Sequence, residues 1–332
     1  MSDSQAKSRN FLLDILKILM SYLVIFIHFG YRDGFLFPCT RIAVPVFFIL
    51  SGYFVYSEDK NIMLAKTKKY LLSTIKYLII GLCIYVAFDF INLGLINNDW
   101  NGFLYSINPL IIGHDFIFSQ SPITSGGHLW FLVCSIFIAI MHYLCTKFNL
   151  LKIYKFIVFP LLLLHLILYV YLGNNSVGLY EVRNSWLFGF PFFAIGMFIC
   201  VLNKQYKPSK KLLIVLSISA ILFFVLQYFE SELYNLWFNK KAEFFISSVL
   251  CSICLVVVCT NINIQFENGY KWIGKGMYLW IYILHFAVGN ILKLKDDSGV
   301  VASLIIWIVC ILIYESIYLL IKLAKVVRDK KR

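Results

Sequence analysis

Runs of about 20 mostly apolar residues recur from one end of this chain to the other, and each is long enough to cross about 30 Å of hydrocarbon as a helix. Ten such runs fall at roughly 11–30, 38–56, 71–93, 127–147, 152–172, 183–202, 211–229, 243–261, 272–293 and 300–321, with short polar breaks between them. The composition agrees: 61% of the 332 residues are apolar, 18% aromatic and only 14% charged, whereas a soluble domain carries charge on about a quarter of its residues. The expected fold is therefore all-α, a polytopic membrane helix bundle of about ten transmembrane helices. It forms a single transmembrane domain over 1–332, with no soluble domain beside it.

An even number of spans puts both termini on one side, and the basic residues decide which. Twenty Lys and Arg, among them Lys7, Arg9, Lys60, Lys66, Lys68, Lys69, Lys152, Lys204, Lys211 and the cluster from Lys322 to Arg332, fall in one set of connections. The opposite set holds Arg32, Arg183, Lys240, Lys241 and Lys295, and the long 94–126 connection has no Lys or Arg. Positive-inside bias thus places both termini in the cytoplasm. It also accounts for most of the +13 net charge as topology and contact with anionic membrane lipids, so nucleic acid is not an expected partner. The basic start and apolar run of residues 1–30 lack a small-x-small cleavage site, and read as a retained first helix.

The nine cysteines lie nearly all in apolar spans, where they act as small hydrophobes. Cys251-x-x-Cys254 has no partner pair or nearby His, and no His-x-Glu or His-x-x-x-His spacing occurs, so no metal site is expected. The one sizeable piece outside the spans, 94–126, is external and rich in Asn, Gly, Ser and aromatics. Such an irregular loop suits hydrogen bonding and stacking on a neutral polar ligand such as a sugar; a poorly ordered loop with interfacial aromatics is the plainer alternative.

The first span, "RNFLLDILKILMSYLVIFIHFG", keeps Asp14, Lys17, Ser21 and His28. Their offsets of 3, 7 and 14 project all four within roughly 60° of one another on a helix, with Lys17 and His28 about 16 Å apart along its axis. A polar stripe at membrane depth points to the bundle interior or a solvated path. An i,i+3 pair between Asp14 and Lys17, and a hydrogen-bonded interfacial His28, would be its purely structural explanations. Arg41 opens the second span at the depth of His28, and a neighbouring cation favours the neutral imidazole, the form that accepts a proton. Further along, Ser51-Gly52-Tyr53 combines a close-approach glycine with hydrogen-bonding side chains, a pattern that helix packing also produces. At the external ends "GGHLWFL" brings His128 and Trp130, "EVRNSW" brings Arg183 and Asn184, and "YLWIYILHF" brings His285; Asp89 lies at similar depth. Trp130 and Tyr278 equally suit an aromatic belt. Glu315 needs a partner, with Lys17 or Lys76 available, and His114, His142 and His165 read as structural.

Asp14-x-x-Lys17 with His28, Arg41 leading "VPVFFILSGYF", then "HLWFL", "RNSWLFGFPFFAIGMFI" and "GKGMYLWIYILHF", in that order, resemble the acyltransferase 3 family of membrane-embedded O-acyltransferases over nearly the whole chain. The family often has Arg where Lys17 stands, and an Arg-rich loop where this chain offers Lys66, Lys68 and Lys69; phosphate binding survives both changes with less geometric specificity. The resemblance implies ten similar helices, a catalytic His28 and a supporting Arg41. It implies as substrates a cytoplasmic acyl-CoA, foremost acetyl-CoA, and a hydroxyl of a cell-surface carbohydrate or lipid-linked glycan, with no permanently bound cofactor.

On that expectation the CoA phosphates lie near Lys66, Lys68, Lys69 and Lys17, and the pantetheine arm runs along Asp14, Lys17 and Ser21 toward His28. Ser51, Tyr53, His128, Trp130, Arg183, Asn184 and His285 are the expected acceptor pocket. His28 acts as general base or takes the acyl group itself. The expected location is a cell membrane, as a multi-pass protein of a bacterial cytoplasmic membrane. A transporter or flippase for a glycolipid or small polar solute could use the same polar path without chemistry.

Overall fold

The structure, a computed structural model, describes residues 10–120, 125–174, 184–239, 244–264, 276–294 and 299–330. Its helices are α1 (Phe11–Phe29), α2 (Leu36–Cys39), α3 (Ala43–Val55), α4 (Lys60–Asp89), α5 (Trp100–Ser106), α6 (Pro109–His114), α7 (Trp130–Lys147), α8 (Tyr154–Asn174), α9 (Phe190–Gln205), α10 (Lys210–Phe238), α11 (Ile246–Asn261), α12 (Met277–Ile291) and α13 (Gly299–Lys330), and no strand occurs among the described residues. A helix stands at each of the ten expected places. Among the described residues seven segments are long and apolar enough to cross a membrane by themselves: Phe11–Phe29, Leu36–Val55, Lys60–Ile96, Gly127–Lys147, Ser185–Gln205, Lys210–Phe238 and Gly299–Asp329. At the fifth, eighth and ninth places the apolar helices are shorter, Phe156–Leu168, Ile246–Asn261 and Met277–Ile291. This is an all-α polytopic membrane bundle.

The chain forms two compact units, one from residues up to Thr40 together with Val258 onward, the other Arg41–Val257. In the first, α1, α12 and α13 pack on one another around Ile25, Phe29, Met277, Ile281, Val288, Ile306, Cys310 and Tyr314. Gly289 admits the ring of Phe29: a Cβ there would lie 2.3 Å from it. At the other end of α1, the Asn10 side chain accepts from Leu12 N and donates to the carbonyls of Cys259 and Ile262, each at 3.0 Å. One Asn thus caps α1 and satisfies the last carbonyls of α11.

In the second unit the closest pairing is α3 with α9, the next α4 with α7. Gly52 and Gly196 bring α3 and α9 backbone to backbone: a Cβ at Gly52 would sit 1.8 Å from the Phe193 carbonyl oxygen, and one at Gly196 1.9 Å from that of Ile49. Apolar contact brings no net gain between helices already bathed in hydrocarbon, so close approach of this kind is what holds them. Long helices such as α10 turn most of their Leu and Ile outward, Ile221 and Ile214 among them, as a lipid-facing surface requires.

The 94–126 connection is not the irregular loop its composition suggests. A π-helical turn, Phe90–Ile96, extends α4; then α5 and α6 follow, each started by an Asx cap, Asp99 accepting from Gly102 N and Asn108 from Leu110 N, with Pro109 at the first turn of α6. The Asn and Asp that read as loop residues are helix starters here. Gln120 fastens the segment to the turn that opens the later span Ser185–Gln205: its Nε2 donates to Ser185 Oγ and its Oε1 accepts from Ser185 N, both at 2.9 Å.

Candidate functional site

The polar stripe of α1 is real and faces its own unit. Lys17 Nζ lies 3.7 Å from Asp14 Oδ1 and 5.6 Å from the centre of the Tyr278 ring, so a carboxylate and an aromatic face share the ammonium. Ser21 is fully buried; its hydroxyl donates to Ile18 O at 2.6 Å and accepts from Trp307 Nε1 at 3.4 Å. Trp307 also meets Tyr22 edge to face at 5.5 Å. The stripe is therefore packed against α13 at its middle.

At the far end His28, in the last turn of α1, meets His285 of α12, with ring centres 5.3 Å apart and planes 33° apart. Phe286 stands edge-on to His28 at 5.8 Å. His285 has no exposed surface, and its Nδ1 lies 2.7 Å from the Tyr282 carbonyl oxygen. Because Tyr278 pairs with Lys17 while Gly289 receives Phe29, α1 and α12 run parallel. Two helices more than 200 residues apart in sequence thus build one face with a cation near one end and two imidazoles near the other.

The other expected site residues belong to the second unit. Arg41, on the 3₁₀ turn Thr40–Ile42 that leads into α3, is buried. Ser51 and Tyr53 sit near the opposite end of that helix, about 15 Å along its axis from Arg41, and Ser51 Oγ donates to Phe47 O at 2.8 Å. Nearby, Thr74 Oγ1 donates to the Tyr70 carbonyl at 2.9 Å. Lys66 donates to Tyr56 O at 2.9 Å, and Lys68 and Lys69 stand exposed on the first turns of α4.

His128 is buried with its ring 4.9 Å from that of Tyr85, and Trp130 packs edge-on to Phe188 at 6.0 Å. Asn184 caps the turn Ser185–Gly189, accepting from Trp186 N and Leu187 N. Arg183 lies outside the described residues. Asp89, also buried, accepts from Ser125, which ties the residues before α7 to α4. His142 pairs with Tyr154 at 3.1 Å, and His165 lies 4.4 Å from the Phe244 ring. Among the described residues no group of three His, Cys, Asp or Glu is placed to hold a metal.

The helix bundle, with a half-buried and a buried imidazole side by side in one of its units, defines a multi-pass membrane protein. Residues 10–320 match the profile of the acyltransferase 3 family, described as an acyltransferase domain, and the chain belongs to that family. It is a multi-pass membrane acyltransferase, which decides for acyl transfer over transport. No curated protein and no solved structure matches the chain.

Proposed function

We propose that the enzyme is an O-acetyltransferase that takes acetyl from acetyl-CoA at the cytoplasmic face and places it on a hydroxyl of an extracytoplasmic glycan or its lipid-linked precursor. The observation that carries this reading is the α1 face itself. Lys17 and His28 lie about 16 Å apart on one side of one helix, a span that an extended pantetheine arm covers. In this reading Lys17 and the exposed Lys66, Lys68 and Lys69 attract the CoA phosphates, and the thioester reaches His28.

His28 takes the proton of the acceptor hydroxyl as that oxygen bonds to the thioester carbonyl carbon. The C–S bond then breaks, and the departing thiolate receives the proton back from the imidazolium. Transfer through an acetyl-histidine would use the same nitrogen as nucleophile. Arg41, a cation buried at the start of α3, is assigned the developing oxyanion. The exposed Trp100 and Tyr105 of the external segment favour a neutral carbohydrate as acceptor. The membrane concerned is one that separates acetyl-CoA from surface polysaccharide, a bacterial cytoplasmic membrane in this reading.

Membranes carrying the wild type should move labelled acetyl from acetyl-CoA to surface glycan, and His28→Ala at equal expression should not. Incorporation by the alanine variant at the wild-type rate would remove His28 from the chemistry. A folded wild type that neither transfers label nor hydrolyses acetyl-CoA would remove the donor assignment.

A further inference from the structure

His285 is fully buried, and its Nδ1 stands 2.7 Å from the carbonyl oxygen of Tyr282, one turn earlier in α12. A carbonyl oxygen only accepts, so Nδ1 carries the proton, and the lone pair of the neutral ring is fixed at Nε2. Nδ1 is the ring nitrogen nearer the backbone; bonding it back to its own helix leaves Nε2 on the distal edge. The ring centre of His28 is 5.3 Å away, and the other rings around the pair are those of Phe29, Phe286 and Tyr282.

We propose that His285 is the positioning residue of His28: a turn of the His28 ring, which stands tilted 33° to that of His285, brings its N–H onto the fixed Nε2 lone pair, so that the remaining nitrogen of His28 presents its lone pair to the reacting group. The assignment rests on the reading of His28 given above, and gives His285 a task other than lining the acceptor pocket. An N–H···N bond in a dry surrounding strengthens the nucleophilicity of the opposite nitrogen, and loss of an orienting partner of this kind costs about 10–100-fold.

Three variants separate positioning from packing. His285→Asn retains a donor for the Tyr282 carbonyl but ends short of His28, His285→Phe retains ring volume without nitrogen, and His285→Gln carries an acceptor out to the Nε2 position. Diethylpyrocarbonate acylates neutral imidazole nitrogen, so its rate on His28, followed by peptide mass spectrometry, reads nucleophilicity without any substrate. His114, with 66% of its side chain exposed, is the internal reference.

The expected result is modification of His28 about tenfold slower in the Asn and Phe variants and close to wild type in Gln. In acetyl transfer kcat should fall in the same order with both KM values unchanged. Equal modification of His28 in all four proteins would overturn the proposal, as would a Gln variant no better than Phe. A raised acceptor KM at unchanged kcat would overturn it too, and would return His285 to the pocket wall. A wild type without transferase activity would sink the functional reading, while the modification rates still decide this one.

Discussion

The α3·α9 crossing supports a quantitative test. A Cβ placed on Gly52 would stand 1.8 Å from Phe193 O, and one on Gly196 1.9 Å from Ile49 O. In both cases the obstacle is backbone of the facing helix, which cannot rotate aside. Reaching a tolerable separation of about 3.2 Å therefore requires the helices to part by about 1.4 Å, and a gap of that size forfeits roughly half of the dispersion attraction of the atoms lining it. Phe48, Ile49, Phe192 and Phe193 at this crossing have no exposed surface, so they lose contacts that nothing replaces.

Overpacking of this severity costs about 3 kcal/mol. Gly52→Ala and Gly196→Ala should each lower the unfolding free energy by about that amount in mixed-micelle titration with a denaturing detergent. The double variant should cost far less than the sum, because one parting of the helices relieves both clashes. Neutral single variants, or a double variant at the full sum of the two, would refute the backbone-to-backbone geometry.

Glu230 accepts from Ile246 N at 2.7 Å, Ser247 N at 3.0 Å and Ser247 Oγ at 2.6 Å, which makes it the cap of α11. Glu230→Ala should cost about 1–2 kcal/mol in the same titration, and Glu230→Gln less. Asp89→Ala releases Ser125, so limited proteolysis should cut the 97–120 segment faster, with cleavage rates elsewhere unchanged. Lys68→Ala combined with Lys69→Ala should raise the KM for acetyl-CoA several-fold at low salt, an effect that shrinks toward 0.5 M salt as screening grows; an unchanged KM at low salt would place the phosphates elsewhere.

The places of the helices were legible in the sequence, whereas their neighbours were not. The apolar runs marked where helices stand, because length and hydropathy act on each segment separately, although α4 already begins at Lys60 and α10 runs on to Phe238, well beyond the apolar runs 71–93 and 211–229. The 3.6-residue period placed Asp14, Lys17, Ser21 and His28 on one face for the same reason. What the period cannot supply is the partner of that face: Tyr278, His285 and Trp307 lie in segments far along the chain. Asn184 and Ser51, expected in an acceptor pocket, show local bonding that the sequence does not reveal. Each is a polar residue at a helix end or near a glycine, and each spends its hydrogen-bonding capacity on local backbone, as short polar side chains do.

The parallel pairing of α1 with α12 bears on why a histidine pair is built there at all. Parallel neighbours cannot be consecutive spans, since consecutive spans alternate in direction; they have to come from distant parts of the chain. Their registers then advance together, so that the 11 residues from Lys17 to His28 on α1 run alongside the 11 from Tyr278 to Gly289 on α12. Both helices thereby present one end to the same membrane face and the other end to the opposite face. In the proposed reaction, a donor entering at one face and an acceptor arriving at the other would meet a wall graded in this way, cationic and aromatic at one end and imidazole at the other. Lys17→Arg should retain this grading, with a KM for acetyl-CoA within about threefold of wild type, while Lys17→Ala should raise that KM about tenfold and leave kcat near wild type. A fall in kcat with unchanged KM in Lys17→Ala would show that the cation supports the fold of α1 rather than the donor.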